Sequence, residues 1–266
     1  MINKIVNKFK EIGLRRFIIG AISYTWTNSS LCKWSKKDHP FLGMFVGDYS
    51  KVEGLTFFVG NSLVSNALKS KFLLNRYEPQ ERLALQFVNP ELPTIEVGGC
   101  MGIISCILNK KLKNPVHIVV EANPNVVPIL ERNRALNKCN FTIINKALGY
   151  HPYVELKLQD EFLKSSAVLD YDVKYRSIQV PTITLKELSA PFHKINLVCD
   201  MEGMEYEILK NELEIMKNKV AIFIAEFHAS GRNDPRLIEA LIILKNSGFE
   251  LINERKYTYV FRNTVG

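Results

Sequence analysis

The sequence predicts an α/β fold: a mostly parallel, twisted sheet with helices on both faces, ending in an antiparallel hairpin. Three observations predict it. From Thr94 onward, short apolar runs alternate with runs of helical spacing. The second apolar run, "VHIVVEA" (Val116 to Ala122), is almost continuously apolar, as a strand covered on both faces must be. The last two runs, "FELINER" and "YTYVFRN", alternate with period two across a very short connection, which reads as a hairpin. With 266 residues, 47% of them apolar, the chain can build one large domain plus an extension.

Each element follows in order. "TIEVG" reads as a strand and "GIISCILNKKL" as a helix. "VHIVVEA" is the next strand. The helix of "NPNVVPILERNRALNK" has Asn123 as N-cap and Pro124 at its first position. "NFTIINKAL" is a third strand, and the short intervals predict right-handed crossovers into a parallel sheet. "YVELKLQ" and "SIQVPTI" then alternate in β fashion around a polar segment, Asp160 to Arg176. That segment, with Ser165, Ser166, Tyr171 and Tyr175, is expected to help form a ligand pocket together with the N-terminal extension. "KINLVCD" (strand), "GMEYEILKNE" (helix), "VAIFIAEFH" (strand) and a helix from about Asp234 lead into the hairpin.

Residues 1–93 have mixed local signals and read as an α/β N-terminal extension or cap; residues 94–266 form the main domain. The net charge of +8 is uneven. Residues 1–93 carry 13 Lys/Arg against 7 Asp/Glu, hence +6; residues 94–266 carry 22 against 20, hence +2. Such an excess suits an anionic surface or is a solvated face. Ile2, Ile5, Val6, Phe9 and Ile12 recur at helical spacing among Lys4, Lys8 and Lys10. They predict an amphipathic helix, either packed on the body or lying on a membrane. No stretch reaches the ~18–20 apolar residues of a membrane span. The five cysteines, Cys32, Cys100, Cys106, Cys139 and Cys199, are odd in number and contain no CxxC pair. That argues against a disulfide framework or a zinc site and fits a reducing, cytoplasmic compartment. No metal-ligand set is evident from spacing, and Cys100, Cys106 and Cys199 read as small core residues.

The stretch "TIEVGGCMGIIS" (Thr94 to Ser105) carries the chemistry. Strand, glycine turn and helix together hold nucleotide-like cofactors. The dinucleotide pattern G-x-G-x-x-G fails here, because Cys100 and Ile103 stand where glycines are needed. No GK[ST] follows, so the phosphate-binding P-loop is excluded as well. Glu96 would repel a pyrophosphate and favour a sulfonium-bearing amino acid, which points to S-adenosylmethionine. Glu121, ending the next strand, can accept both ribose hydroxyls.

Several motifs resemble the FkbM-type methyltransferases, from about Pro79 to Phe249. "IEVGGCMGIIS" resembles their first cofactor motif, D-V-G-A-N-x-G; "VVEANPNVVPILERNRALN" resembles their E-P-N-P segment; and "NKALG" resembles the A-L-G after the third strand. "LVCDMEGMEYEILK" resembles their K-x-D-V-E-G-x-E signature, and "AEFH" a recurrent acid-plus-His strand ending. Departures are Glu96 for Asp, Gly99 for Ala, Cys100 and Met101 for Asn and a small residue, and Val198 for Lys. The resemblance implies a Rossmann-like class I methyltransferase fold with S-adenosylmethionine as cofactor. It implies that Glu96, Gly98, Gly99, Cys100, Met101 and Gly102 line the methionine end, with Glu78 closing over it. Glu121 would bind the ribose beside Ala122 and Asn123, and Lys146 and Ala147 would lie against the adenine.

Methyl transfer to an alcohol needs alignment and a base. Asp200 ends the fourth strand, Glu202 sits in the turn after it, and His228 ends the fifth; these are the candidate catalytic residues. Glu205, on the helix that follows, reads as compensation of the helix dipole. The resemblance implies O-methylation of a carbohydrate, glycolipid or related metabolite. The competing readings are a non-catalytic cofactor-binding module and a methyltransferase for a nucleic-acid or other non-sugar acceptor. No N/D-P-P-Y/F motif for base amines is present, so no nucleic-acid partner is expected; the expected partners are a small-molecule or glycan acceptor and, through the basic N-terminus, the inner face of a membrane.

Overall fold

The computed structural model describes residues 40–158 and 176–265. The expected N-terminal amphipathic helix, Cys32 and the polar segment up to Tyr175, with Ser165, Ser166, Tyr171 and Tyr175, lie outside the described residues. The chain divides into two compact units at Tyr77/Glu78 rather than at residue 93. The reason is packing: the helix Pro79–Ala84 lies against the last strand and the first crossover helix of the larger unit.

The smaller unit contains α1 (Pro40–Gly43), a two-stranded antiparallel ribbon of β1 (Tyr49–Val52) and β2 (Leu55–Phe58), and α2 (Asn66–Leu73). Ser65 caps α2 by accepting from the Leu68 N–H. Phe72 and Tyr77 stack at 4.7 Å between ring centroids.

The larger unit begins with α3 (Pro79–Ala84) and a 3₁₀ turn, Leu85–Phe87. Its main sheet contains β3 (Thr94–Val97), β4 (His117–Val120), β5 (Thr142–Ile144), β9 (Ile195–Cys199), β10 (Val220–Glu226), β11 (Phe249–Arg255) and β12 (Thr258–Asn263). Their order is β11-β12-β10-β9-β3-β4-β5. The five strands from β10 to β5 are parallel, and β12 joins antiparallel between β10 and β11. This is the expected mostly parallel, Rossmann-like sheet with a terminal hairpin. The crossover helices are α4 (Ile103–Lys111), α5 (Val127–Leu136), α7 (Glu205–Lys219) and α8 (Pro235–Asn246). Strands β3 and β9 are buried throughout, because helices cover both faces.

Two local expectations change. The single strand expected for "NFTIINKAL" is two: β5 in the main sheet and β6 (Ala147–Leu148) in a separate sheet of order β6-β8-β7, with β7 (Tyr153–Leu158) and β8 (Arg176–Ile183). The Asn145 amide turns the chain between them by donating to the carbonyls of Glu121 and Ala122. Helix α5 starts at Val127, not after Asn123. The Asn123 side chain instead accepts from the Asn125 N–H and closes a turn, which Pro124 occupies.

Buried carboxylates tie the layers together. Glu212 lies at a non-helical residue inside α7 (φ −130°). Its oxygens accept from the backbone N–H groups of Leu185 and Lys186, at 2.7 Å each, and so cap α6 (Leu185–Ser189) alongside the Thr184/Glu187 capping box. The core of the sheet is centred on Ile95, Leu197, Phe223 and Phe261.

Leu197 is fully buried between Ile95 and Phe223 on neighbouring strands. Leu197→Ala should cost about 2–5 kcal/mol, while Leu251→Ala, at an exposed hairpin position, should cost less than about 1 kcal/mol. Urea unfolding of the full chain checks both; equal losses would contradict this placement of the core.

Candidate active site

The connection order of the main sheet reverses between β3 and β9: the chain runs outward through β4 and β5, then returns to β9 and β10. In open α/β sheets the crevice at the carboxyl ends of such strands is where ligands bind. Here the two strand ends touch. A Cβ on Gly98 would lie 1.8 Å from the Asp200 carbonyl oxygen, and Gly98 has φ +95°. Only glycine meets both conditions, and the turn is thereby pressed onto the end of β9.

The rest of the turn splits into two sides. Gly99 and Gly102 face inward, where a Cβ would meet Val119 and Leu130 at 2.3 and 2.5 Å. Met101 is 0% exposed, and its carbonyl accepts from the Asn133 side chain. Met101 therefore belongs to the core and offers a ligand no side chain, contrary to its expected place along the cofactor. Gly98 and Cys100 are half-buried on the outer side, Cys100 in the left-handed region at φ +47°. Cys100 is thus not the core residue expected; Cys106 and Cys199 are buried as expected.

Glu96 departs most from expectation. It is 2% exposed, and both oxygens are used inside the protein. Ser105 Oγ donates to Oε1 at 2.7 Å, and His117 Nε2 lies 3.0 Å from Oε2. The charge read as facing a sulfonium lies instead beneath α4, paired with a histidine that the sequence hid in an apolar strand. The next acid behaves differently. The Glu121 carboxylate accepts from the backbone N–H groups of Cys100 and Asn123, both at 2.7 Å. Burial pushes its carboxyl upward, and those two N–H groups work against the shift. An ionised carboxylate has about four acceptor positions, and the backbone around Glu121, Ala122 included, uses most of them, so any ribose hydroxyl shares this carboxylate with the backbone. Ala122 and Ala147 each pack against the small sheet's core, and Lys146, next to Ala147 in the chain, is half-buried.

At the other end of the crevice the structure brings Asp200, Glu202 and His228 together. His228 Nε2 is 3.6 Å from Asp200 Oδ1 and 3.4 Å from Glu202 Oε2. The organiser is Glu205, whose side chain is 0% exposed. Its carboxylate accepts from the N–H groups of Met201 (2.8 Å) and Gly203 (3.0 Å) and lies 3.0 Å from His228 Nδ1. Gly203 has φ +104° and Glu202 φ +50°, so the D-M-E-G turn folds tightly back onto this carboxylate. The helix-dipole reading missed this role. Its signal was the spacing in "DMEGME", which puts an acid two residues after the glycine.

Glu78, Glu81 and Glu226 add a second acidic group, each with a carboxylate oxygen within 4.8 Å of the others. Glu81 is 8% exposed, and its Oε1 has no hydrogen-bond partner among the described residues. Nothing in the sequence marks Glu81, whereas Glu226 was visible in "AEFH". The crowding moves protons. Burial, then Asp200 and Glu226, hold the Glu81 carboxyl well above the usual range. Burial holds Asp200 well above it too, against the pull of His228. Glu202 is pushed up to about 7 by burial, again against His228. Burial alone would lower His228, but Glu205, Glu202 and Asp200 outweigh it and push the imidazole up to about 10.

The sequence from Glu96 to Leu251, more than half the chain, matches the methyltransferase FkbM domain. The chain belongs to the FkbM methyltransferase family. No curated protein matches the sequence. Among solved structures it is similar to M. jannaschii TYW2 in complex with AdoMet, at 14% identity, covering 80% of this chain and 82% of that one, with a TM-score of 0.42. It is also similar to the ribosomal protein L11 methylase from Lactobacillus delbrueckii subsp. bulgaricus, at 14% identity, covering 70% and 77%, with a TM-score of 0.39. The FkbM-family chain is an S-adenosylmethionine-dependent methyltransferase. Its residues fit that cofactor: a glycine turn at the switch point, and the Glu121 carboxylate at the next strand end. No helix among the described residues is long and apolar enough to cross a membrane.

Two outcomes test this geometry. Gly98→Ala should displace the turn from Asp200; overpacking of about 1–3 kcal/mol corresponds to a roughly 5- to 150-fold loss of S-adenosylmethionine affinity by calorimetry. Unchanged affinity would contradict the close approach. Secondly, His228 is raised in the folded state, so its stabilisation is fully present below about pH 6.5 and is lost as pH rises through about 10. In EDTA-treated Glu205→Gln, the NMR titration midpoint of His228 should fall toward 6.5, and this loss of stability at high pH should flatten.

Proposed function

We propose that this FkbM-family methyltransferase O-methylates a hydroxyl of a carbohydrate, glycolipid or related neutral metabolite. The observation that carries the reading is the cluster of Asp200, Glu202 and His228 at the carboxyl edge, beside the glycine turn. S-adenosylmethionine supplies a methyl group on a positive sulfur that needs no activation. The chain's own residues must align the acceptor and remove its proton. Glu202, half-exposed in its turn and pushed up to about 7, is the carboxylate suited to take that proton. His228 carries its own proton on a ring held by Glu205, so it donates to the acceptor oxygen and orients it. Asp200 and Glu226 accept from neighbouring hydroxyls, which a polyhydroxylated acceptor offers in number. The acidity of the edge disfavours a phosphate backbone, which supports a sugar over a nucleic acid.

The test uses tritium-labelled methyl groups with carbohydrate, glycolipid and RNA acceptors. Label should reach the carbohydrate-containing fractions. Glu202→Gln should keep cofactor affinity and lose about 10²- to 10⁴-fold in kcat. Label on RNA alone would overturn the acceptor reading, and full activity of Glu202→Gln would overturn the base.

A further inference from the structure

We propose that Asp200, Glu202 and His228 form a binding site for a first-row divalent cation, which presents the acceptor through two adjacent oxygens. The geometry around His228 carries the inference. Its Nδ1 is committed to a fully buried carboxylate, Glu205, at 3.0 Å. A metal-ligating histidine almost always has its other ring nitrogen fixed in this way by a carboxylate or carbonyl. Its Nε2 then faces two carboxylate oxygens at 3.4 and 3.6 Å. Those separations are long for charge-assisted hydrogen bonds, which run about 2.7–2.9 Å. They are close to what ligands of one small cation require. Atoms held about 2.1–2.2 Å from a metal at 90–110° to one another lie about 3.0–3.6 Å apart.

Two further observations point to an absent positive partner. Asp200 Oδ1, the oxygen nearest His228, is buried and has no hydrogen-bond partner among the described residues. Glu81, nine-tenths buried, likewise has an unpartnered Oε1 in the adjoining group with Glu78 and Glu226. Buried carboxylate oxygens left in this state are costly unless a cation or a proton satisfies them. One imidazole nitrogen and two carboxylate oxygens form a mixed ligand set, which suits first-row divalent ions over a purely oxygen-seeking ion such as calcium. The proton on Nε2 leaves to solvent as the cation arrives, and the cation then takes over from that N–H the task of orienting the acceptor oxygen. Three protein ligands leave open positions, and two vicinal hydroxyls of a sugar can fill them. Glu202 coordinating through one oxygen keeps the other for the acceptor's proton.

The inference extends the O-methylation reading, but its test reads the cation alone, so either can fail without the other. Mn2+ is titrated into the full chain, without acceptor, by calorimetry and by the loss of the free Mn2+ electron-resonance signal. One Mn2+ per chain should bind. Removing outer partners of metal ligands typically costs 10–100-fold in affinity, so Glu202→Gln and His228→Gln should each weaken binding by at least about tenfold. Glu250→Gln, an exposed acid on the hairpin, should leave it unchanged. S-adenosylmethionine affinity, measured on the same samples, shows that the variants are folded. Wild-type protein that binds no Mn2+ at millimolar concentration, or binding equally strong in both site variants, would overturn the proposal.

Discussion

The carboxylate of Glu205 is the constraint on which the functional edge depends. It is buried without a cationic side chain of its own helix, and a buried charge is tolerable only when it is fully hydrogen-bonded or paired. It meets that requirement with the N–H groups of Met201 and Gly203 and with the ring of His228. These partners come from two different strand ends. Satisfying one carboxylate therefore fixes the turn after β9, the ring at the end of β10 and the distance between them. Asp200 and Glu202 acquire their positions as a consequence, one on each side of the same turn.

Around that anchor the site is crowded with acids. Burial, and then neighbouring acids, raise the proton affinity of Glu81, Asp200 and Glu202. Such an arrangement stores electrostatic repulsion that positive charge relieves, whether a proton, an imidazolium, a sulfonium or a metal ion. Sites built this way are functional more often than structural, because stability alone would favour replacing the acids. The crevice thus has two characters. Its glycine-turn side offers backbone groups and the Glu121 carboxylate, suited to a nucleoside. Its β9–β10 side offers negative charge, suited to cations and to hydroxyl donors.

In the glycine turn, the features shared with the family and the charge of Glu96 serve different ends. The failed dinucleotide pattern, Glu121 and the D-M-E-G signature all point to the methyltransferase family, and the match to its domain agrees. The electrostatic case built on Glu96 does not survive, since Ser105 and His117 consume that carboxylate beneath the helix. Cys100 and Met101, which stand where the family has polar or small residues, turn out to be unlike each other. Met101 is packed away, and Cys100 contributes its backbone N–H to Glu121. At both positions the backbone is engaged within the protein, the Cys100 N–H on Glu121 and the Met101 carbonyl on Asn133.

The sequence alone determined the fold class, the order of strands and helices through the main domain, the terminal hairpin and the family. It could do so because those features are local. Apolar periodicity reports which faces are buried, and glycine turns and strand-end acids report where a crossover begins. Asp200, Glu202, Glu121 and His228 were legible for the same reason, each sitting at a strand end. Tertiary structure alone decided that β12 inserts between β10 and β11, that the chain divides at Tyr77, and that "NFTIINKAL" splits between two sheets. It also decided which acids face the crevice. Glu96 and Glu121 look alike in sequence, both acids at or next to the end of a buried strand, but one pairs with a histidine on the next strand and the other accepts from backbone N–H groups of the turns. Glu81 gave no signal and Glu205 only its spacing in "DMEGME", because their roles come from partners that only the folded chain brings within a few ångströms.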